Sequence, residues 1–202
     1  MIWVKRDRHC APGGPGLGRP MIRAFLALPL PESVVAHLAL VQTRMRLSRP
    51  VPRENLHITL VFLGEQREDA LEELHLAIES MALPGFWLRL DGLAVFGGDT
   101  PRNLHAAIAA EPGLTRLQSR LRRAAQMAGM RPEARRFVPH VTLARFRPGE
   151  AGAAGLAQAM QEIGALDPAP FVVDRFALYR SHLRADGAQY DILADYPLAP
   201  PE

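Results

Sequence analysis

Glu54-Asn55-Leu56-His57-Ile58-Thr59-Leu60-Val61-Phe62-Leu63-Gly64 and Phe137-Val138-Pro139-His140-Val141-Thr142-Leu143-Ala144-Arg145-Phe146 repeat one pattern, a His-x-Thr-x tetrad set among aliphatic and aromatic residues. Short runs of this composition, bounded by Gly and Pro, read as β-strands. In a strand, residues i and i+2 project to the same side, so His57 travels with Thr59 and His140 with Thr142. One His-x-Thr carries no information. Two copies, each flanked by aliphatics and each at the same place in a repeat, point to one site built from two halves.

The repeat is visible on either side of the tetrads. Residues 22–28 are predicted as a strand ended by Pro29 and Pro31, followed by a helix capped by Ser33 with Val34, Leu38, Val41 and Met45 along one stripe. The first motif strand, 56–63, is closed by Gly64. A second amphipathic helix carries Leu71, Leu74, Ile78 and Met81, and a strand over 86–96 ends at Gly97-Gly98. The order then recurs. A strand over 104–109 leads through Pro112-Gly113 to a helix with Leu114, Leu117, Leu121 and Ala125 inward. The second motif strand spans 137–146, an Ala-rich helix 152–164, and closing strands 171–179 and 189–193. Such self-similarity indicates two related units stacked together, and a chain of 202 residues makes them lobes of one domain rather than two domains.

Composition bounds the class. With 48% hydrophobic and 22% charged residues the chain is globular, not disordered. No apolar run approaches the roughly 20 residues that cross a bilayer, so no membrane association is expected. A single cysteine, Cys10, forbids an internal disulfide and a Cys-rich zinc site, which fits a reducing cytoplasm. Net charge is only +3, but Lys5 is the sole lysine, so nearly all the positive charge is arginine, whose planar fork suits phosphate. Residues 1–20, MIWVKRDRHCAPGGPGLGRP, lack both an apolar signal core and periodicity, and are read as a flexible extension before a single domain over 21–202.

The chemistry follows from the four convergent side chains. A neutral imidazole takes a proton from water while a protonated one gives a proton to a departing alkoxide. Threonine hydroxyls donate to phosphoryl oxygens as charge builds there. The pair supplies both acid and base, so neither metal nor cofactor is called for. There is no G-x-S-x-G, no P-loop and no G-x-G-x-x-G after a strand.

The segments ENLHITLVFLG and FVPHVTLARF resemble the paired motifs of the 2H phosphoesterase superfamily, in particular the bacterial RNA 2′,3′-cyclic phosphodiesterases, also called 2′-5′ RNA ligases. IRAFLALPLP, LDGLAVFGG and FVVDRFALYRSHL extend the resemblance from Met21 to about Leu198 in the family's order. The resemblance implies an α+β, bilobal fold, two pseudo-symmetric lobes each with an antiparallel sheet flanked by helices, and a cleft between them. It implies hydrolysis of a terminal RNA 2′,3′-cyclic phosphate to a 2′-phosphomonoester. His57 would be proton donor to the O3′ leaving group, His140 proton acceptor for the attacking water, and Thr59 and Thr142 would hold the phosphate. Two further matching positions are Phe62, for stacking on a base, and Arg145, for a phosphate oxygen. Relatives often carry an aromatic shortly before the first motif, where this chain has Arg49-Pro50-Val51.

Among the other histidines, His9 falls in the extension, His37 and His75 are expected on helix surfaces, and His182 in a turn. His105 falls on a strand that could line the cleft. Expected partners are RNA with a 2′,3′-cyclic phosphate end, tRNA halves among them, or small cyclic nucleotides, with the protein a monomer. The same site could instead run 2′-5′ ligation or serve a small cyclic nucleotide, and a non-catalytic RNA-end-binding module would share the fold.

Overall fold

The computed structural model describes residues 21–164, 166, 169–184 and 187–201; the extension over 1–20 lies outside the described residues. In chain order the elements are β1 (Met21–Pro29), α1 (Glu32–Arg44), β2 (His57–Arg67), α2 (Glu68–Glu79), β3 (Phe86–Leu88) and β4 (Leu90–Phe96). They continue with β5 (Asn103–Ile108), α3 (Pro112–Met127), β6 (His140–Arg145), α4 (Ala153–Ile163), β7 (Phe171–Val173), β8 (Arg175–Arg184) and β9 (Gly187–Pro197). The strand–helix–strand–helix–strand order thus occurs twice, as the sequence predicts, and β9 closes the chain.

One antiparallel sheet runs in the order β4-β5-β6-β2-β1-β8-β9. Its two wings meet at a single pair, Ile58 with Val141. These are equivalent residues, each following its motif histidine, and an antiparallel pair of equivalent residues places a local two-fold at the join. Both are fully buried. Beyond this pair the strands part, and the opening between the wings is the cleft between lobes. Leu60 and Leu143 bury on the same side as Ile58 and Val141, while the histidines and threonines look into the opening.

Helices bind the lobes crosswise. α1 follows β1 yet packs on β6, and α3 follows β5 yet packs on β2. Gln42, buried on α1, donates from Nε2 to the carbonyls of Leu143 (2.8 Å) and Val51 (2.9 Å). The Val51 amide donates to the same Leu143 carbonyl. The segment that enters the first motif is therefore fastened to the strand of the second, which keeps the two tetrads in fixed relation.

Several local expectations change. Ser33 does not cap α1: Pro31 holds the N-cap position, its carbonyl accepts from the Val34 and Val35 amides, and Ser33 is exposed inside the first turn. Pro112 and Gly113 do not precede α3 but open it, with Glu111 as the cap whose carboxylate accepts from the Gly113 amide at 2.8 Å. This is the favoured place for proline, whose missing N–H costs nothing in the first turn. Gly64 does not close β2. Two bulges, which leave Leu60 and Leu63 without partners, let the strand continue to Arg67, with Gly64 taking a positive φ of 73°.

The long strands expected over 86–96 and 171–179 are each two strands. Both switch partners at one residue, Arg89 or Asp174, and the pieces before the switch, β3 and β7, pair in a small separate sheet. Alternation continues through such a switch, so hydrophobic period alone does not reveal it. The strand expected over 137–146 starts only at His140. Pro139 has no N–H to give a ladder, and the Val138 carbonyl is engaged by the His140 ring.

Candidate active site

Each motif histidine is held in the same way. His57 Nδ1 lies 2.8 Å from the Asn55 carbonyl, and His140 Nδ1 lies 2.8 Å from the Val138 carbonyl. A carbonyl only accepts, so in each ring Nδ1 carries the hydrogen and donates, which leaves Nε2 as the working atom. In both cases the carbonyl comes from two residues before the histidine. Thr59 donates its hydroxyl to His57 Nε2 at 3.1 Å. His57, Thr59, His140, Thr142 and Arg145 line one cleft of 820 Å³, within the range of about 300–1,000 Å³ usual for ligand sites.

The two halves differ in what surrounds them. Register places Phe25, Ala27 and Pro29 of β1 against Phe62, Thr59 and His57. In the second lobe Asn103, His105 and Ala107 of β5 lie against Arg145, Thr142 and His140. At the first two of these positions the first lobe has Phe25 and Ala27 where the second has the polar Asn103 and His105, and at the third both lobes are apolar. Around His57 the Phe25 ring lies at 5.0 Å and that of Tyr190 at 5.3 Å, with Tyr179 stacked on Phe25 at 5.1 Å. Around His140, Phe96 approaches edge-on at 5.0 Å and His105 likewise at 5.0 Å, while Phe96 and His105 stack on each other at 4.1 Å.

These walls set the protonation chemistry. Desolvation by burial pushes His57 down to about 4, reinforced by the Arg145 guanidinium and by His140, and opposed by the bond to Asn55. His140 is also lowered, first by desolvation and then by Arg145 and Arg135, against the bond to Val138. His105 falls to about 4, again by burial and then by His140. At neutral pH the imidazoles are thus held neutral beside arginines, a field poised to change sign when an anion enters.

Of the residues singled out from sequence, His57, Thr59, His140, Thr142 and Arg145 are brought together. Phe62 is not in the cleft. It lines an adjoining crevice, and the Arg23 guanidinium sits over its ring at 4.6 Å. Arg49, Pro50 and Val51, just before the first motif, also line the cleft. His105, placed by sequence on a possible lining strand, is buried behind His140 with Nδ1 3.2 Å from Asn103 Oδ1. His75 is half-buried rather than free on the surface: its Nδ1 and the Tyr196 hydroxyl are hydrogen-bonded at 2.9 Å. His182 lies in β8 rather than a turn and pairs with Asp191 at 2.8 Å.

Sequence reasoning missed Phe25, Phe96, Tyr190, Arg135 and Arg184. Phe25, Phe96, Tyr190 and Arg184 come from strands far from the motifs along the chain and reach the site through sheet pairing, while Arg135 stands in the loop just before the second motif. Phe96 is placed by Gly97, whose φ of 114° starts the turn between β4 and β5. A Cβ there would strike the Thr100 carbonyl oxygen.

The chain matches the family model of the 2′-5′ RNA ligase superfamily over residues 30–185. It is 36% identical over 191 residues to the RNA 2′,3′-cyclic phosphodiesterase of Thermus thermophilus, covering 88% of this chain and 90% of that protein. The protein of the same name from Bacillus subtilis is 30% identical over 165 residues, covering 79% and 87%. Among solved structures, TT0787 of Thermus thermophilus superposes with a TM-score of 0.73 at 32% identity, covering 89% of this chain and 99% of that one. Escherichia coli LigT complexed with 3′-AMP gives 0.71 at 27%, covering 89% and 98%. A family match over most of the chain, relatives of nearly equal length, and two facing His-x-Thr strands lead to one conclusion: the chain belongs to the 2′-5′ RNA ligase superfamily.

Proposed function

We propose that the protein is an RNA 2′,3′-cyclic phosphodiesterase that opens a terminal cyclic phosphate to a 2′-phosphomonoester using only its own side chains. The observation that carries this reading is the paired set of imidazoles, each with Nδ1 tied to a carbonyl and Nε2 turned to a cleft holding two threonines and Arg145. His140 Nε2 takes a proton from the attacking water as its oxygen bonds to phosphorus. The P–O3′ bond breaks, and O3′ receives a proton from His57 Nε2. Thr59 and Thr142 donate to the non-bridging oxygens, where negative charge grows, and Arg145 pairs with the phosphate. The apolar wall of the first lobe suits the nucleoside, and Tyr190, whose ring lies beside His57 in the cleft, is the stacking partner this reading favours for the terminal base. Relatives at 30–36% identity bearing this activity in their names support the same substrate.

The pH dependence tests it. An active pair needs one neutral and one protonated histidine, and in the free protein both titrate below 6.5. The alkaline limb of kcat/KM, which reports the free enzyme, is therefore expected below pH 6.5. A bound phosphate anion offsets the arginine field and favours the protonated imidazole, so the limb of kcat is expected at higher pH. Arg145→Gln removes a charge that depresses both histidines, so its kcat/KM profile should move to higher pH while kcat/KM falls about tenfold or more for the lost charge-assisted contact. Rates on a cyclic-phosphate-ended oligonucleotide in EDTA, taken across pH, decide this. A profile with no limb in the range where imidazoles titrate, about pH 4 to 8, would exclude the histidine pair as acid and base.

A further inference from the structure

Beside the cleft lies a second, smaller hollow of 200 Å³. It shares Thr59, Phe96, Arg135 and His140 with the cleft, so the two are continuous. Its volume is below that usual for an independent ligand, which makes it an annex for part of a larger one. The far wall comes from α3, where Gln118 and Arg122, four residues apart, present the same side of the helix. Arg136 faces it from the loop that leads to β6.

Among the described residues the annex is lined by three arginines, Arg122, Arg135 and Arg136, and one carboxylate, Glu133. α3, PGLTRLQSRLRRAAQM, contains four arginines and no carboxylate. Arg122 Nε is a buried donor without a hydrogen-bond partner among the described residues. Leaving such a donor unmade costs about 1–3 kcal/mol, and more for a charged group, and Arg122, which lines the hollow, is not fully satisfied by acceptors among the described residues. The one carboxylate in the lining, Glu133, faces Arg135 at 3.8 Å in an exposed pair. Arg122 and Arg136 are therefore the cations of this hollow that lie outside the cleft itself.

On the reading that the cleft takes a terminal cyclic phosphate, we propose that this annex is a second phosphate subsite, in which Arg122 and Arg136 hold the phosphodiester joining the terminal nucleotide to the rest of the RNA strand. The subsite makes the enzyme one for RNA ends rather than for free cyclic nucleotides, because a cyclic mononucleotide has no second phosphodiester to place there. Bidentate guanidinium contacts fix a polymer by its backbone and leave its sequence unread.

The test compares adenosine 2′,3′-cyclic phosphate with the dinucleotide ApA ending in a 2′,3′-cyclic phosphate. The wild-type protein should turn over the dinucleotide with a kcat/KM at least about tenfold higher, an advantage of the size expected for charge-assisted contacts and one that shrinks as salt is raised. Arg136→Ala, an exposed loop change, and Arg122→Met should each remove most of that advantage while leaving the mononucleotide rate within about twofold. Equal losses on both substrates would assign the arginines a structural role and overturn the subsite, as would no loss on either. A wild-type protein that opens the mononucleotide but shows no dinucleotide preference overturns the subsite and leaves the phosphodiesterase reading standing. Failure to open either substrate overturns both.

Discussion

Replacing His57 or His140 with alanine is expected to slow opening of a 2′,3′-cyclic phosphate by at least about 10²-fold in each case, the usual worth of a positioned general acid or base. Both side chains face the cleft rather than the core, so the fold should survive. Ile58 and Val141, which join the sheet's wings, are untouched by either change. The double variant should be far less impaired than the product of the two single losses, because an acid and a base that act in one step fail together. Steady-state rates of the three variants, with circular dichroism to confirm folding, check this. Full activity in either single variant would remove that histidine from the mechanism.

Thr59→Val and Thr142→Val carry the next largest expected effects. Valine keeps the shape and the β-branch of threonine and deletes only the hydroxyl, so packing in β2 and β6 is preserved. If these hydroxyls donate to non-bridging oxygens as charge develops, each loss should lower kcat by about 10²–10³-fold, as for other oxyanion donors. KM should change little, because the donors count most in the transition state. The two variants should differ in one respect. Thr59 also donates to His57 Nε2, so its removal frees that nitrogen, whereas Thr142 shows no such bond to its histidine among the described residues. A fall in affinity with kcat unchanged would make the threonines ground-state contacts instead.

The parts of the site that sequence discloses are those set by local geometry. Strand parity couples each histidine to the threonine two residues on, and repetition of the tetrad in a repeated unit foretells that the halves meet. The bilobal α+β architecture follows from the same repeat and from the family resemblance. What sequence conceals depends on register between distant strands. Phe25 lies opposite Phe62, while at the matching place in the second lobe Asn103 lies opposite Arg145. The lobes are alike in fold but differ in polarity here, and nothing in either motif alone reveals it. Bulges hide similarly: leaving Leu60 unpaired buries both Leu60 and Val61 and brings Phe62 back to the side of His57 and Thr59. The sheet switches at Arg89 and Asp174 escape detection because apolar alternation is the same on both sides of them.

On the proposed reading, that difference in polarity matches the two parts of the substrate. The lobe with Arg145, Asn103 and His105 suits the anionic phosphate. The lobe with Phe25, Tyr179 and Tyr190 suits the nucleoside and strips water from His57. A histidine so desolvated is a poor cation in the free protein, and on the proposed reading it takes up its proton when the anionic substrate binds.

The most direct measurement of the central claim is the product formed from an oligonucleotide ending in a 2′,3′-cyclic phosphate, incubated with the protein in EDTA and resolved by its terminal phosphate position. A 2′-phosphomonoester, formed by the wild-type protein and lost in His57→Ala and His140→Ala, is the expected result. A 3′-phosphomonoester, or opening that survives loss of either histidine, would contradict it.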